Sequence, residues 1–310
     1  MLRLTGLHHV NFAVRDLGSS ERFAIDFGLQ VAARTEHSVF LRGAGNGAYL
    51  LRLEASDRDA FLGAAWSVAD ANELQRAVAE YGATNLSELA GPGGGHAVTL
   101  TDPEGLPWHL VADIAPTIAQ PLRESLRINT GAAKDRRGVT QLKPPLGPPQ
   151  LLKLGHIGIF IQDFARQSQW LQNVLGLLPS DVLYAGSPDH GIGGFFRLNR
   201  GAEWVDHHAL AVFAMGKADC HHISFEVQDS EAQFVAHRWL SKQGWEPVWG
   251  VGRHPLGSHV FDVWRAPCGY RFETYSDTDL CTAAEPMHLH DVKHAQMDLW
   301  SNEQPDRYFK

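Results

Sequence analysis

Hydrophobic and polar positions alternate in short runs along this chain. In CHHISFEV, Ile223, Phe225 and Val227 take one parity, while His222, Ser224 and Glu226 take the other. A period of two is that of a strand with one buried face. LGHIGIFIQD reads the same way, with Ile157, Ile159 and Ile161 opposed to His156, Gly158 and Phe160. An Asp and an amphipathic stretch ending in glycine follow such strands in LHHVNFAVRDLGSSERFAIDFGL, from Leu7, and LGHIGIFIQDFARQSQWLQNVLGL, from Leu154. His9 to Asp16 and His156 to Asp163 are both seven steps, and Gly28 and Gly176 stand where the glycine after each helix is expected. The unit recurs in AAWSVADANELQRAVAEYGA and ISFEVQDSEAQFVAHRWLSKQG, with Asp70 and Asp229 as expected N-caps. Each recurrence leads into strand-like runs that contain a Pro-x-Gly turn, HAVTLTDPEGLPWHLVAD and HVFDVWRAPCGYRFETYSD.

The pattern predicts an α+β chain of four βαβββ-like modules grouped in two tandem domains. We expect the first at residues 1–114 and the second at 151–280, joined by a Pro-, Gly- and base-rich linker at 115–150. The tail, 281–310, shows no clear periodicity and is expected to drape over the second domain.

Composition narrows the class. A chain of 310 residues, 44% of them hydrophobic, can bury a substantial core. It has no apolar run of about 18 residues, and its start, MLRLTGLHHVNF, lacks the layout of a secretory signal. Three scattered cysteines do not make a disulfide framework. These features lead us to expect a cytoplasmic protein. A formal charge of −8 disfavours nucleic acid and anionic membrane as partners. Histidine is the unusual residue, with 17 in the chain.

Parity selects among them. His156, His222 and Glu273 lie on three strands of the second half, each on the face its aliphatic neighbours avoid. In a sheet curled around a cavity they could converge on a metal. Two imidazoles and one carboxylate leave positions open and suit non-haem Fe(II), with zinc less favoured. By the same parity argument His221 is expected to stand apart from the ligands, and Cys220 is read as not ligating. GPGGGH, from Gly91, lacks the Lys-Ser/Thr end of a phosphate-binding loop and is read as a turn. HLHDVKH, from His288, is read as carrying no site.

The runs LGHIGIF, NRGAEWVDHHALAVF, CHHISFEVQD and VGRHPLGSHVFDVWRAPCGYRFETYSD resemble the type I extradiol ring-cleaving dioxygenases of the vicinal oxygen chelate superfamily. The resemblance covers nearly the whole chain. It implies four βαβββ modules, each pair forming an incomplete barrel around a cavity, with iron in the second barrel only. It implies His156, His222 and Glu273 as ligands of Fe(II), with Mn(II) the lesser alternative. His9 matches His156, whereas Gly63 and His109 stand where His222 and Glu273 would be. The implied reaction is cleavage of a catechol-type ring with both atoms of O2 inserted, by a homo-oligomer. His208 would be the acid/base residue and His254 the substrate-side histidine, with Asp206 a candidate to orient a ring. His207 is expected to face outward or be structural, and His259 to lie at a surface or strand end. One position departs from the pattern: Val263 stands where many relatives carry a tyrosine that hydrogen-bonds the substrate. Tyr275, on the face of Glu273, is the candidate to supply that hydroxyl. The alternatives are a non-redox, glyoxalase-type isomerase and an aromatic-binding protein that has lost catalysis.

Overall fold

The computed structural model describes residues 1–124, 126–138, 143–301 and 304–310. Residues 125 and 139–142 of the expected linker, and 302–303 of the expected tail, lie outside the described residues. The first half comprises β1 (Leu4–Val14), α1 (Leu17–Phe27), β2 (Gln30–Arg34), β3 (Ser38–Arg42), β4 (Leu51–Ala55), β5 (Ala60–Val68), α2 (Ala71–Tyr81), β6 (Ser87–Glu88), β7 (His96–Thr101) and β8 (Pro107–Ala112). The second half begins with β9 (Leu154–Ile161), α3 (Phe164–Asn173), β10 (Leu178–Tyr184), β11 (Gly191–Arg197), β12 (Val205–Asp206) and β13 (Leu210–Ala214). It continues with β14 (Asp219–Glu226), α4 (Ser230–Gln243), β15 (Glu246–Arg253), β16 (Val260–Arg265) and β17 (Arg271–Ser276), then β18 (Leu280–Cys281) and β19 (His288–Asp291).

Two large curled sheets result, beside a two-stranded pairing of β12 with β18. Their strand orders are β2-β3-β4-β1-β5-β8-β7-β6 and β15-β16-β17-β14-β9-β13-β11-β10-β19. In each, the two βαβββ modules meet through their first strands, which pair antiparallel: β1 with β5 and β9 with β14. This is the α+β architecture that the repeated pattern predicts.

Aspartate starts all four helices. Asp16, Asp70, Asp163 and Asp229 each accept a backbone N–H of the first turn through the side chain. Gly28 caps α1 in the left-handed region at φ 119°. Gly176 does not cap α3; Val174 does, in right-handed conformation, and Gly176 follows in the next turn at φ 71°. Both Pro-x-Gly segments close tight turns, with Gly105 N–H donating to the Asp102 carbonyl and Gly269 N–H to that of Ala266.

The halves share one hydrophobic core. Phe12, Phe23 and Phe27 of the first half pack against Tyr270, Phe272 and Phe225 of the second. Trp239 and Trp245 donate to the backbone and side chain of Asp26, at 3.0 Å each. Both faces of β9 are therefore buried: Ile157, Ile159 and Ile161 join this core, and His156, Gly158 and Phe160 face the opposite side. The tail is more ordered than its sequence suggests. β19 pairs parallel to β10, and a single 3₁₀ turn at Asp306–Tyr308 packs against the sheet. Among the described residues, no helix is long and apolar enough to cross a membrane.

Candidate metal centre

β17, β14 and β9 are neighbours, and their register aligns the candidate ligands. His156 lies opposite Ser224, which lies opposite Glu273, while His222 lies opposite Gly158. Directly paired residues share a face, so all three candidates project to the concave side. One ligand atom from each of His156, His222 and Glu273 falls within 4.8 Å of the others. His156 Nε2 is 3.1 Å from Glu273 Oε1, which also accepts from Ser224 Oγ at 2.7 Å. Gly158 makes room for the third ligand, since a Cβ there would come within 2.3 Å of the His222 ring.

A β-bulge between Cys220 and His222 sets the tautomer of that ring. It turns His221 onto the side of His222, against the parity expectation. His221 Nε2 donates to the carbonyl of Tyr308 at 2.6 Å, and its Nδ1 is 2.8 Å from Nδ1 of His222. A carbonyl can only accept, and burial lowers both imidazoles, so each ring is neutral. His221 Nδ1 must then accept from His222 Nδ1–H. That leaves His222 Nε2 with a free lone pair, the state a metal ligand requires. Glu273 Oε2 is buried with no hydrogen-bond partner among the described residues. An orphaned carboxylate oxygen beside two imidazoles fits a divalent cation, which is the partner this set of atoms lacks.

His207 and His208 repeat the device. His207 Nε2 donates to Asp181 Oδ2 at 2.6 Å, and its Nδ1 is 3.1 Å from His208 Nδ1. His208 Nδ1 is engaged with His207, so Nε2 is the His208 nitrogen left for the cavity. His207 is thus buried and orienting rather than outward-facing. The carboxylate in this chain is Asp181, which also accepts from His290 of the HLHDVKH segment at 2.7 Å. Burial opposes its charge, yet the two histidines hold it below the usual carboxylate range. Asp206 orients neither ring; it accepts from Lys153 and Tyr275.

The concave side encloses a cavity. His156, His222, Glu273, His208 and His254 all line it. His254 Nδ1 donates to the carbonyl of Met297, leaving Nε2 for the cavity, and its ring stacks on Phe261 at 4.0 Å. His259 lines it too, contrary to expectation, with both ring nitrogens unpartnered and Nε2 3.8 Å from Glu273 Oε1. Burial takes His222 down to about 3, lowers His254, and holds His208 and His259 well below the ordinary imidazole value. Glu273 stays below the usual carboxylate range, because His156, His222 and His259 outweigh the effect of burial. His208, His222, His254 and His259 thus stand as neutral bases near one carboxylate.

Two expected residues are not among the described cavity walls. Val263 is fully buried in a cluster with Val248, Trp249, Phe261 and Tyr308. Tyr275 packs beside His156, and its hydroxyl is engaged in donating to Asp206 Oδ2 at 2.8 Å. It cannot offer that proton to a cavity ligand as well. The remaining walls are apolar, with Leu183, Phe195, Phe213, Leu256 and Met297 prominent, and part of them comes from the tail.

In the first half the register puts His9 opposite Ala65, Asn11 opposite Gly63 and Ala65 opposite His109. Gly63 and His109 thus occupy the positions of His222 and Glu273. Glycine offers no ligand atom. His109 is tied to Thr99 Oγ1 at 2.8 Å and to the Leu62 carbonyl at 3.0 Å.

The chain is 28% identical over 270 residues to Metapyrocatechase 2 of Cupriavidus necator, an alignment covering 85% of this chain and 79% of that protein. Its fold is similar to homoprotocatechuate 2,3-dioxygenase from Brevibacterium fuscum in complex with 3,4-dihydroxyphenylacetate, with a TM-score of 0.83 at 17% identity, covering 99% and 92% of the two chains. It is also similar to the Mn(II)-bound glyoxalase from Novosphingobium aromaticivorans, with a TM-score of 0.81 at 21% identity, covering 100% and 95%. Residues 153–274, which hold all three candidate ligands, match the profile of the Glyoxalase/Bleomycin resistance protein/Dioxygenase superfamily. Over that segment the chain is similar to members of that superfamily.

Proposed function

We propose that this protein is an Fe(II)-dependent extradiol dioxygenase that opens a catechol-type ring beside its two hydroxyls and inserts both atoms of O2. The observation that carries the reading is the convergence of His156, His222 and Glu273, with free His208 and His254 nitrogens in the same cavity. Iron(II) held by two imidazoles and one carboxylate keeps positions open for a diol and O2 and supplies the electron transfer between them.

The protein's own part is to bind, orient and move protons. His254, pinned by Met297, offers Nε2 to a ring hydroxyl of the substrate. His208, pinned through His207 to Asp181, offers Nε2 as a base for a substrate proton and afterwards as an acid. Leu183, Phe195, Phe213 and Leu256 keep water away and give a ring substituent an apolar seat. Among the described residues no Arg or Lys lines the cavity, so a carboxylate on the ring would be buried unpaired. Uncharged catechols are the favoured substrates.

Anaerobic loading with Fe(II), followed by O2 and a panel of catechols, tests the reading. The expected result is a yellow ring-opened product, one O2 consumed per ring, and alkyl- or aryl-substituted catechols ahead of 3,4-dihydroxyphenylacetate. Bound iron with no oxygen uptake on any diol would turn the assignment to a non-redox member of the superfamily. The His208→Phe variant should keep its metal and its diol affinity but turn over about 10²-fold more slowly, the scale of a lost acid/base group. Unchanged turnover in that variant would remove His208 from the chemistry.

A further inference from the structure

The tail places one polar group in the cavity that the proposed function does not use. Tyr308 lines the cavity and is almost wholly buried, yet its hydroxyl has no hydrogen-bond partner among the described residues. The turn that carries it is held by three contacts. His221 Nε2 donates to the Tyr308 carbonyl at 2.6 Å, Arg271 to the Arg307 carbonyl at 3.0 Å, and Arg307 Nε to the Val248 carbonyl at 2.7 Å. The ring packs edge-on against Trp249, with centroids 4.9 Å apart, in the cluster that contains Val263.

Position 263 connects these facts. Val263 lies opposite Glu273 in the β16–β17 register, so its side chain projects on the ligand side of the sheet. A residue as short as valine does not reach the cavity, and the Tyr308 ring packs in the same cluster. A phenol fixed this firmly at the cavity wall, its hydroxyl making no hydrogen bond among the described residues, is placed to meet a ligand.

On the reading that the cavity takes a catechol, we propose that Tyr308 hydrogen-bonds a ring oxygen of the bound diol, supplying from the tail the hydroxyl that Val263 cannot supply from the strand. Burial and the nearby Glu273 carboxylate push the phenol well above its ordinary value, so at neutral pH it stays protonated and donates. The tail is then part of the substrate site rather than a cover over it. The carbonyl that fixes Tyr308 also fixes His221 and, through it, His222, so a single contact orders the substrate's donor and a metal ligand together.

The test is Tyr308→Phe in the full chain, which keeps the ring, its packing and the backbone carbonyl. Iron content, thermal midpoint and anaerobic catechol binding are measured beside steady-state kinetics. We expect iron and midpoint to match the parent, and catechol to bind about 10- to 100-fold more weakly, the loss of one hydrogen bond to an ionised oxygen. The rise should appear in both the anaerobic dissociation constant and KM. Parent-like binding in the variant overturns the proposal while leaving the dioxygenase reading intact. Weaker binding accompanied by lost iron or a lowered midpoint also overturns it, because the role is then structural. If the parent itself binds no catechol, the dioxygenase reading fails and this inference with it.

Discussion

His222→Ala protein, purified anaerobically from iron-supplemented cells, is expected to carry far less than one iron per chain where the parent carries one. The expectation rests on the place that His222 takes in the sheet. Gly158, directly opposite, has no side chain, and the next imidazole, His221, has its Nε2 committed to Tyr308. Losing an outer partner of a metal ligand typically costs 10- to 100-fold in affinity, so losing the ligand itself should cost about 10²-fold or more. Oxygen uptake on catechols should fall with the metal. Stoichiometric iron in the variant would show that the cation sits elsewhere, with His156, His208 and His259 the next cluster to consider.

The second large effect is acid lability of the metal-free protein. His9, His208, His221 and His259 are held well below 6.5 by burial, and His222 is taken to about 3. The unfolded chain protonates all five near pH 6.5, whereas the folded chain keeps them neutral. Protons therefore favour unfolding, and stability that is complete above 6.5 is lost as pH falls below it. At pH 5.5 each such histidine costs on the order of 1 kcal/mol, so together they cost several kcal/mol. A typical domain has about 5–15 kcal/mol in all. Glu273 and Asp181, whose folded values are depressed, add to the loss as pH drops through about 4. His237 works the other way, since Asp262 raises it, but it is one against five. The thermal midpoint of metal-free protein should fall by on the order of 10 °C between pH 7.5 and 5.5. A flat midpoint over that interval would mean that these rings are not neutral in the fold.

Much of this was legible before the fold was known, and the limits have physical causes. Period-two alternation and Asp-capped helices are local signals, and they carried the four modules. The candidate ligands could be grouped from the sequence because strand parity, read twice along an internal repeat, put His156, His222 and Glu273 on equivalent faces, which the fold brings to one side of the sheet. Parity fails wherever a strand is irregular. The bulge at Cys220–His222 turned His221 from a bystander into the group that sets a ligand's tautomer. Distance along the chain was the other barrier. Tyr308 meets His221 across 87 positions, and Asp181 meets His290 across 109. Tyr275 and Val263 had the right face, but face alone does not say whether a hydroxyl is already engaged or a side chain is long enough.

The first half has the second half's register without its ligands, and its own backbone keeps it from gaining them by simple substitution. Gly63 sits at φ 109°, a conformation L-residues rarely adopt, and a Cβ there would lie 2.6 Å from the Pro107 carbonyl oxygen and 2.8 Å from His109 Nε2. A histidine at 63 with a glutamate at 109 would complete the set on paper, but the strand would first have to be reshaped. Anyone hoping to build a twin-site variant of this molecule should begin with the main chain around Gly63, and with the ligands only afterwards.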